Sequence, residues 1–338
     1  MTAKARPAPP LVALNPDSAV LVNSQSGGLQ MPSTAFLFPG QGSQAPGMGL
    51  EIAERHPSAR AVFDAADDAL GFALSRTCFE GPAEELKRTE ITQPAVLTAS
   101  IATLAAVRER GIEPAFVAGH SLGEYSALVA AGAMEFQEAV RLVHERGRCM
   151  QEAVPQGVGA MAALLGIDGE SAADVCRQAA DGQVVSPANV NSPGQIVIAG
   201  HAEAVSRAVE LAKQSGARRA VMLDVSAPFH CALMTPARVA MEPRLDSTAF
   251  ADLQVPLVNN WQAREVRTGT AAREGLKQQI PNPVLWEQTI RHLVAQGVER
   301  YLEVGPGRVL TGLMRAIDRR LSAQSTHDLA SLEAIPEE

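Results

Sequence analysis

The sequence predicts a mixed α/β fold, a larger body on a parallel sheet with a smaller βαββαβ module inserted into it. Three observations carry this reading. Short apolar runs alternate with helix-period stretches toward both ends of the chain. The middle switches to closely spaced strands around an Asn191-Ser192-Pro193-Gly194 turn. The chain has 338 residues and 46% hydrophobic content, enough to bury a substantial core.

Taken in order, residues 1–32 are rich in Pro, Ser, Gly and Asn and show no sustained period. They are expected to form a flexible extension, or to reflect an upstream start, since Met31 directly precedes the first patterned segment. "TAFLFPG" (34–40) is a buried-strand run stopped by Pro39-Gly40. "TQPAVLTASIATLAAVRERG" (92–111) reads as a helix with Thr92 as N-cap, an early Pro94 and Gly111 as its stop. "AFVAG" is the next strand, and a helix follows Ser121. Residues 159–166 then read as a strand, 170–180 as a helix, 183–190 and 194–200 as two strands, 202–216 as a helix and 218–225 as a strand. That order is the split-βαβ pattern of a ferredoxin-like module. The body resumes after about 230 and ends near "YLEVGPGRVLTGLMRAI" (301–317), a strand, a Gly-Pro-Gly turn and a helix. Residues 321–338 are expected to be a frayed C-terminal tail.

Bulk properties narrow the function. A formal net charge of -8 argues against nonspecific nucleic-acid binding but leaves room for local basic patches. The four cysteines, Cys78, Cys149, Cys176 and Cys231, form no CxxC pair, so neither a disulfide framework nor a zinc site is expected and a reducing, cytoplasmic home fits. No HExxH occurs and the Cys and His are dispersed, so no metal is expected. No apolar stretch is read as approaching the roughly 18 residues that span a bilayer. Asn15, Pro16 and Asp17 interrupt the N-terminal segment before a signal-peptide core can form.

The chemistry concentrates at Gly119-His120-Ser121-Leu122-Gly123, which satisfies G-x-S-x-G. A nucleophile on a sharp strand-to-helix turn needs small residues two positions either side, because the backbone passes close to both. The helix start also offers free N–H groups to an oxyanion, Leu122 N–H being the natural first donor. A serine at a helix start is equally suited to capping, so partners must decide. Of seven histidines, His56, His144 and His292 sit in or beside charged helical segments and read as solvated. His201 lies in a strand-to-helix loop, His327 in the tail, and His120 is expected to point away from its neighbour's hydroxyl. His230, within "SAPFHCALM", sits among small and apolar residues at the junction of module and body. It reads either as a packed core histidine or as the base.

Several stretches together resemble the malonyl-CoA:acyl-carrier-protein transacylase family: "FPGQGSQ" (38–44), "GHSLGEYSAL" (119–128), "ERGRCMQEAVP" (145–155), "NVNSPGQIVIAG" (189–200), "FHCALM" (229–234), "NPVLW" (282–286) and "EVGPGRVLTGL" (303–313). The resemblance runs from about Ala35 to Ile317. It implies an α/β-hydrolase-like large subdomain over 33–156 and 229–320, with a ferredoxin-like small subdomain over 157–228. It also implies Ser121 as the acylated nucleophile and His230 as general base. Backbone N–H groups of Gln41 and Leu122 would form the oxyanion hole, and Arg146 would clamp the substrate carboxylate. The backbone carbonyl of Gln279 would orient the histidine in place of an aspartate, and exchanging the Gln279 side chain should then leave much of the activity. Phe229 stands where related acyltransferases choose the acyl unit. Asn189 and Asn191 match positions near the site, where they support it or bond only local backbone. "PGQGSQ" lacks the Lys-Ser/Thr ending of a nucleotide-binding loop.

Malonyl-CoA is therefore the implied substrate and acyl carrier protein, with its phosphopantetheine thiol, the implied partner. No bound cofactor, nucleic acid or membrane is expected, and the chain is expected to be a monomer. Carrier proteins are generally acidic, so docking calls for a basic patch, for which Lys213, Arg218 and Arg219 are candidates. Three other readings stand beside this one. They are a discrete polyketide-synthase acyltransferase, a serine acyl hydrolase on the same elbow, and a non-catalytic carrier-binding module.

Overall fold

The computed structural model describes residues 33–336. Ten strands are numbered in chain order: β1 Thr34–Phe38, β2 Phe116–Gly119, β3 Gly159–Leu165, β4 Val185–Ser192, β5 Gln195–His201, β6 Arg219–Met222, β7 Leu257–Val258, β8 Glu265–Val266, β9 Arg300–Glu303 and β10 Ala323–Ser325. Six form one sheet in the order β10-β9-β1-β2-β7-β8, parallel except for the β7–β8 hairpin.

Strand β1 is buried on both faces, as a parallel strand under helices must be. Its side chains alternate between two cores. Phe36 and Phe38 pack with the helices Thr89–Glu109 and Phe136–Glu152. Ala35 and Leu37 pack with Trp286, Ile290, Leu310 and Met314 from two C-terminal helices. In the parallel register Phe38 lies beside Gly119, so the chain leaves β1 and β2 side by side at one edge. Ligand sites of parallel sheets form at such carboxyl ends.

The other four strands make an antiparallel sheet, β4-β5-β3-β6, with Ile196, Ile198, Val175 and Val205 in a core of their own under the helices Gly169–Ala179 and Ala202–Gln214. Every element expected between 159 and 225 is present, with ends shifted by up to three residues. This sheet is tied to the body through β4, where Val190 N–H donates to Val284 O at 2.9 Å and Val284 N–H to Ala188 O at 2.9 Å.

Four expectations need correction. The helix expected from Thr92 spans Thr89–Glu109, with Arg88 at its N-cap and Pro94 inside. Pro94 has no N–H to offer the Glu90 carbonyl, and the His144 imidazole bonds that oxygen instead at 2.9 Å. His144 is thus half-buried against another helix rather than solvated. The same 21-residue helix is long and apolar enough to cross a bilayer, contrary to the sequence reading, yet 89% of its apolar window is buried within the fold. Its hydrophobicity serves the core. Finally, the C-terminal segment expected to fray is folded: β10 pairs with β9, and Leu332 and Ile335 are fully buried. Arg110 Nη2 holds the Ile335 carbonyl at 2.5 Å. The proposed N-terminal extension, 1–32, lies outside the described residues.

Candidate active site

Ser121 follows β2 immediately before the helix Gly123–Ala130. It has φ 51°, a left-handed conformation that costs a non-glycine residue about 1–3 kcal/mol. The crowding inferred from G-x-S-x-G is present in atoms. A Cβ on Gly119 would stand 2.0 Å from the Gly123 carbonyl carbon, and one on Gly123 would stand 2.1 Å from Phe38 O. The loop after β1 presses equally close, since a Cβ on Gly40 would lie 2.3 Å from His120 O. Gln41 therefore follows a residue packed directly on the elbow.

Ser121 Oγ and His230 Nε2 are 2.7 Å apart, and His230 Nδ1 lies 3.0 Å from the Gln279 carbonyl. A carbonyl only accepts, so Nδ1 carries the proton and Nε2 is free to accept from the serine. His230 is buried, and burial together with the nearby Arg146 charge holds its pKa down to about 3. The imidazole is neutral at physiological pH, the form a general base requires. His120 does turn from the hydroxyl: its Nε2 meets Asn191 Oδ1 at 2.9 Å, and its ring packs on Trp286. Asn191 thus reaches the elbow from β4, whereas Asn189 bridges by its backbone to Val284. Phe229 is buried beside the histidine.

Arg146 is only 1% exposed and makes no ion pair among the described residues. Its Nη1 donates to Gln93 Oε1 at 2.7 Å, and its Nη2 donates to Gln279 Oε1 at 2.8 Å and to Ser121 Oγ at 3.1 Å. The guanidinium also lies 5.6 Å from the Tyr125 ring centroid. Arg148, two residues on, faces outward to Glu145 and Glu152. Gly147 lets the two long helices touch, for a Cβ there would be 2.6 Å from Glu90 Cα, and this contact brings Arg146 to Gln93.

Gln279 departs from expectation in one respect. Its carbonyl faces His230, but its fully buried side chain also holds Arg146 and donates to Ser121 O at 2.9 Å. The side chain is therefore part of the site, and the expectation that it can be exchanged with little loss is withdrawn. Gln93, Glu124 and Asn260 also line this network and were missed by the sequence reading. Gln93 sat inside "TQPA" with nothing to mark it, whereas Glu124 directly follows the elbow glycine and could have been flagged as a charge in an apolar run. Lys213, Arg218 and Arg219 make no hydrogen bond to these groups. Lys213 pairs with Glu210 at 2.7 Å, and Arg219 is exposed on β6. Arg218 packs over Gly166.

The arrangement is a hydroxyl within hydrogen-bond reach of a neutral imidazole, beside a buried cation that makes no direct ion pair among the described residues. The family description "Acyl transferase domain" matches residues 35–335. The malonyl CoA-acyl carrier protein transacylase of Escherichia coli (strain K12) is 50% identical over 305 residues, covering 90% of this chain and 99% of that one. The chain belongs to the acyl transferase family. The Bacillus subtilis (strain 168) protein of the same name is 49% identical over 304 residues, 90% of this chain and 96% of its own. Among solved structures, the malonyl CoA-acyl carrier protein transacylase from Coxiella burnetii superposes with a TM-score of 0.88 at 42% identity, covering 90% of this chain and 96% of that chain. A type II PKS acyl-carrier protein in complex with its malonyl-transacylase gives 0.87 at 48% identity, over 89% and 98%.

All four free cysteines are buried. None approaches the serine–histidine pair by a hydrogen bond among the described residues.

Proposed function

We propose that the chain moves malonyl from malonyl-CoA to the phosphopantetheine thiol of acyl carrier protein, supplying fatty acid synthesis, through an ester on Ser121. The observation that carries this is Arg146, a buried guanidinium within hydrogen-bond reach of the nucleophile's oxygen. Acetyl leaves that cation unpaired. Malonyl brings a carboxylate that can take two parallel N–H bonds from it.

In the first half-reaction His230 Nε2 takes the Ser121 proton as Oγ attacks the thioester carbonyl. The oxyanion is received by the backbone N–H groups of Gln41 and Leu122, and the tetrahedral species collapses as the coenzyme A sulfur leaves with the proton from His230. In the second, His230 takes the carrier thiol's proton, sulfur attacks the malonyl ester, and Ser121 leaves reprotonated. Thioester exchanges for thioester, so the transfer is nearly balanced. Phe229, buried beside the base, limits the bulk of the acyl unit.

The site draws every group from one chain, so a monomer suffices, and light scattering checks the mass. Four buried free thiols suit a reducing cytoplasm. The large subdomain, 33–156 and 229–320, carries Ser121, Arg146, His230 and Gln279. The small one, 157–228, contributes Asn189 and Asn191 and the carrier-docking charges. Arg218 and Arg219 on the small sheet are the docking pair, with Lys213 partly neutralised by Glu210. Charge reversal at both arginines raises the carrier KM about three- to tenfold and leaves that for malonyl-CoA unchanged; equal effects on both reject the patch.

Intact-mass measurement tests the whole scheme. Malonyl-CoA gives a malonyl adduct on the chain that moves to holo carrier protein when carrier is added. An adduct lost to water with no gain on the carrier replaces transfer by hydrolysis. Similarity to a malonyl-transacylase solved with a type II PKS carrier keeps a polyketide carrier as a second acceptor, decided by comparing kcat/KM on the two carriers.

A further inference from the structure

Behind the nucleophile lies a set of buried polar groups that the acyl-transfer steps never touch. Glu124, in the first turn of the helix Gly123–Ala130, is fully buried. Its Oε2 accepts the Asn260 backbone N–H at 2.9 Å and Gln279 Nε2 at 3.0 Å. The buried Asn260 side chain in turn accepts Ser121 N–H on Oδ1 at 2.7 Å and donates from Nδ2 to Gly119 O at 2.6 Å. These partners fix the amide orientation, because the reversed amide would set N–H against N–H.

We propose that Glu124 and Asn260 are positioning residues for acyl transfer, Asn260 locking the peptides before Ser121 and Glu124 locking the one after it through Gln279. The proposal rests on the acyl-transfer reading and deepens it. Peptide groups are rigid planes, so holding one end aims the other. Asn260 holds the carbonyl of the 119–120 peptide and the N–H of the 120–121 peptide. Gln279 Nε2 holds the carbonyl of the 121–122 peptide, whose opposite end is Leu122 N–H, the oxyanion donor. Glu124 anchors the Gln279 side-chain amide and the main chain of Asn260. Three consecutive peptides are thus held across a residue whose φ of 51° gives it every reason to relax.

Burial pushes the Glu124 carboxyl up to about 7, so ionised and protonated forms coexist near neutrality, and Oε2 accepts in either. The role is that of an acceptor oxygen, which glutamine can supply. The rescue is partial, since the second oxygen is buried with no partner and an amide nitrogen there would be unsatisfied.

A fluorophosphonate that labels reactive serines reads Ser121 without assuming any acyl group. Labelling is measured on Asn260→Ala, Glu124→Ala and Glu124→Gln at equal folded fraction by near-ultraviolet circular dichroism. Asn260→Ala and Glu124→Ala slow labelling about 30-fold or more. Glu124→Gln recovers about tenfold of its loss. Glu124→Ala also lowers the malonyl-to-acetyl loading ratio about threefold or more, because Gln279 bridges to Arg146, whereas Asn260→Ala does not. Folded Asn260→Ala labelling within about threefold of wild type overturns the proposal, as does a loss that tracks only the unfolded fraction. If the alanine variants do not fold, the near-isosteric Asn260→Asp decides, being slowed comparably or, at wild-type rate, overturning the idea. A wild-type chain that labels but takes no malonyl refutes the transfer reading alone, and one that does not label refutes both.

Discussion

Ser121→Ala ends formation of the malonyl adduct and lowers transfer on the order of 10⁴-fold or more. The chemistry has one oxygen to work with. Ser121 Oγ is the atom that meets His230 Nε2 at 2.7 Å and Arg146 Nη2 at 3.1 Å, and no other described hydroxyl bonds to either side chain. Removing it leaves the imidazole with no proton to take and forces any residual transfer to proceed by direct attack of the carrier thiol. The fold survives, because alanine meets the same backbone strain at position 121 as serine and the loss is one partly buried hydroxyl, within about 1 kcal/mol. Thermal unfolding checks the fold, and intact mass checks the adduct. A hydroxylamine-labile malonyl adduct on the folded variant places the ester elsewhere and overturns the assignment.

Arg146→Ala separates acyl selection from acyl transfer. Malonyl loading falls about 100- to 1000-fold, the effect of about 3–4 kcal/mol expected when one partner of a buried, hydrogen-bonded charge pair is removed. Acetyl loading falls far less, because acetyl does not engage the guanidinium and feels only the loss of its hydrogen bond to Ser121 Oγ. This cation makes no direct ion pair among the described residues, and its desolvation is offset by the Gln93 and Gln279 amides, a hydroxyl, the Tyr125 ring and the nearby Glu124 carboxyl. Its removal relieves that desolvation but leaves the buried Gln93 and Gln279 oxygens without their donor, so folding loses about 1–3 kcal/mol. The measurement is the ratio of initial loading rates from malonyl-CoA and acetyl-CoA, and an unchanged ratio removes the clamp from the mechanism.

The sequence made some of this visible because the relevant information is local. G-x-S-x-G encodes a steric demand within five residues, and the contacts of Gly119 and Gly123 are that demand in atoms. The β3–β6 elements were legible because their periods switch cleanly between 2 and 3.6. What stayed hidden is paired across long separations. The helix start at Thr89 was masked by Pro94, whose missing hydrogen bond is made good by His144, 54 residues on in the chain from Glu90. The C-terminal segment looked frayed because its partners, β9 and Arg110, cannot be inferred from its own composition. Gln93 and Asn260 are ordinary amides in sequence and gain their roles only from Arg146 and from the serine turn, 53 and 139 residues away.

The hydroxyl and its base are separated by 109 residues, and the antiparallel sheet is threaded between them. The imidazole is in turn oriented by a carbonyl 49 residues further along. During synthesis, a ribosome-bound chain therefore carries its serine long before it has any means of activating it. Any stretch of chain that ends before position 279 has the serine but lacks the carbonyl that sets the tautomer of its base.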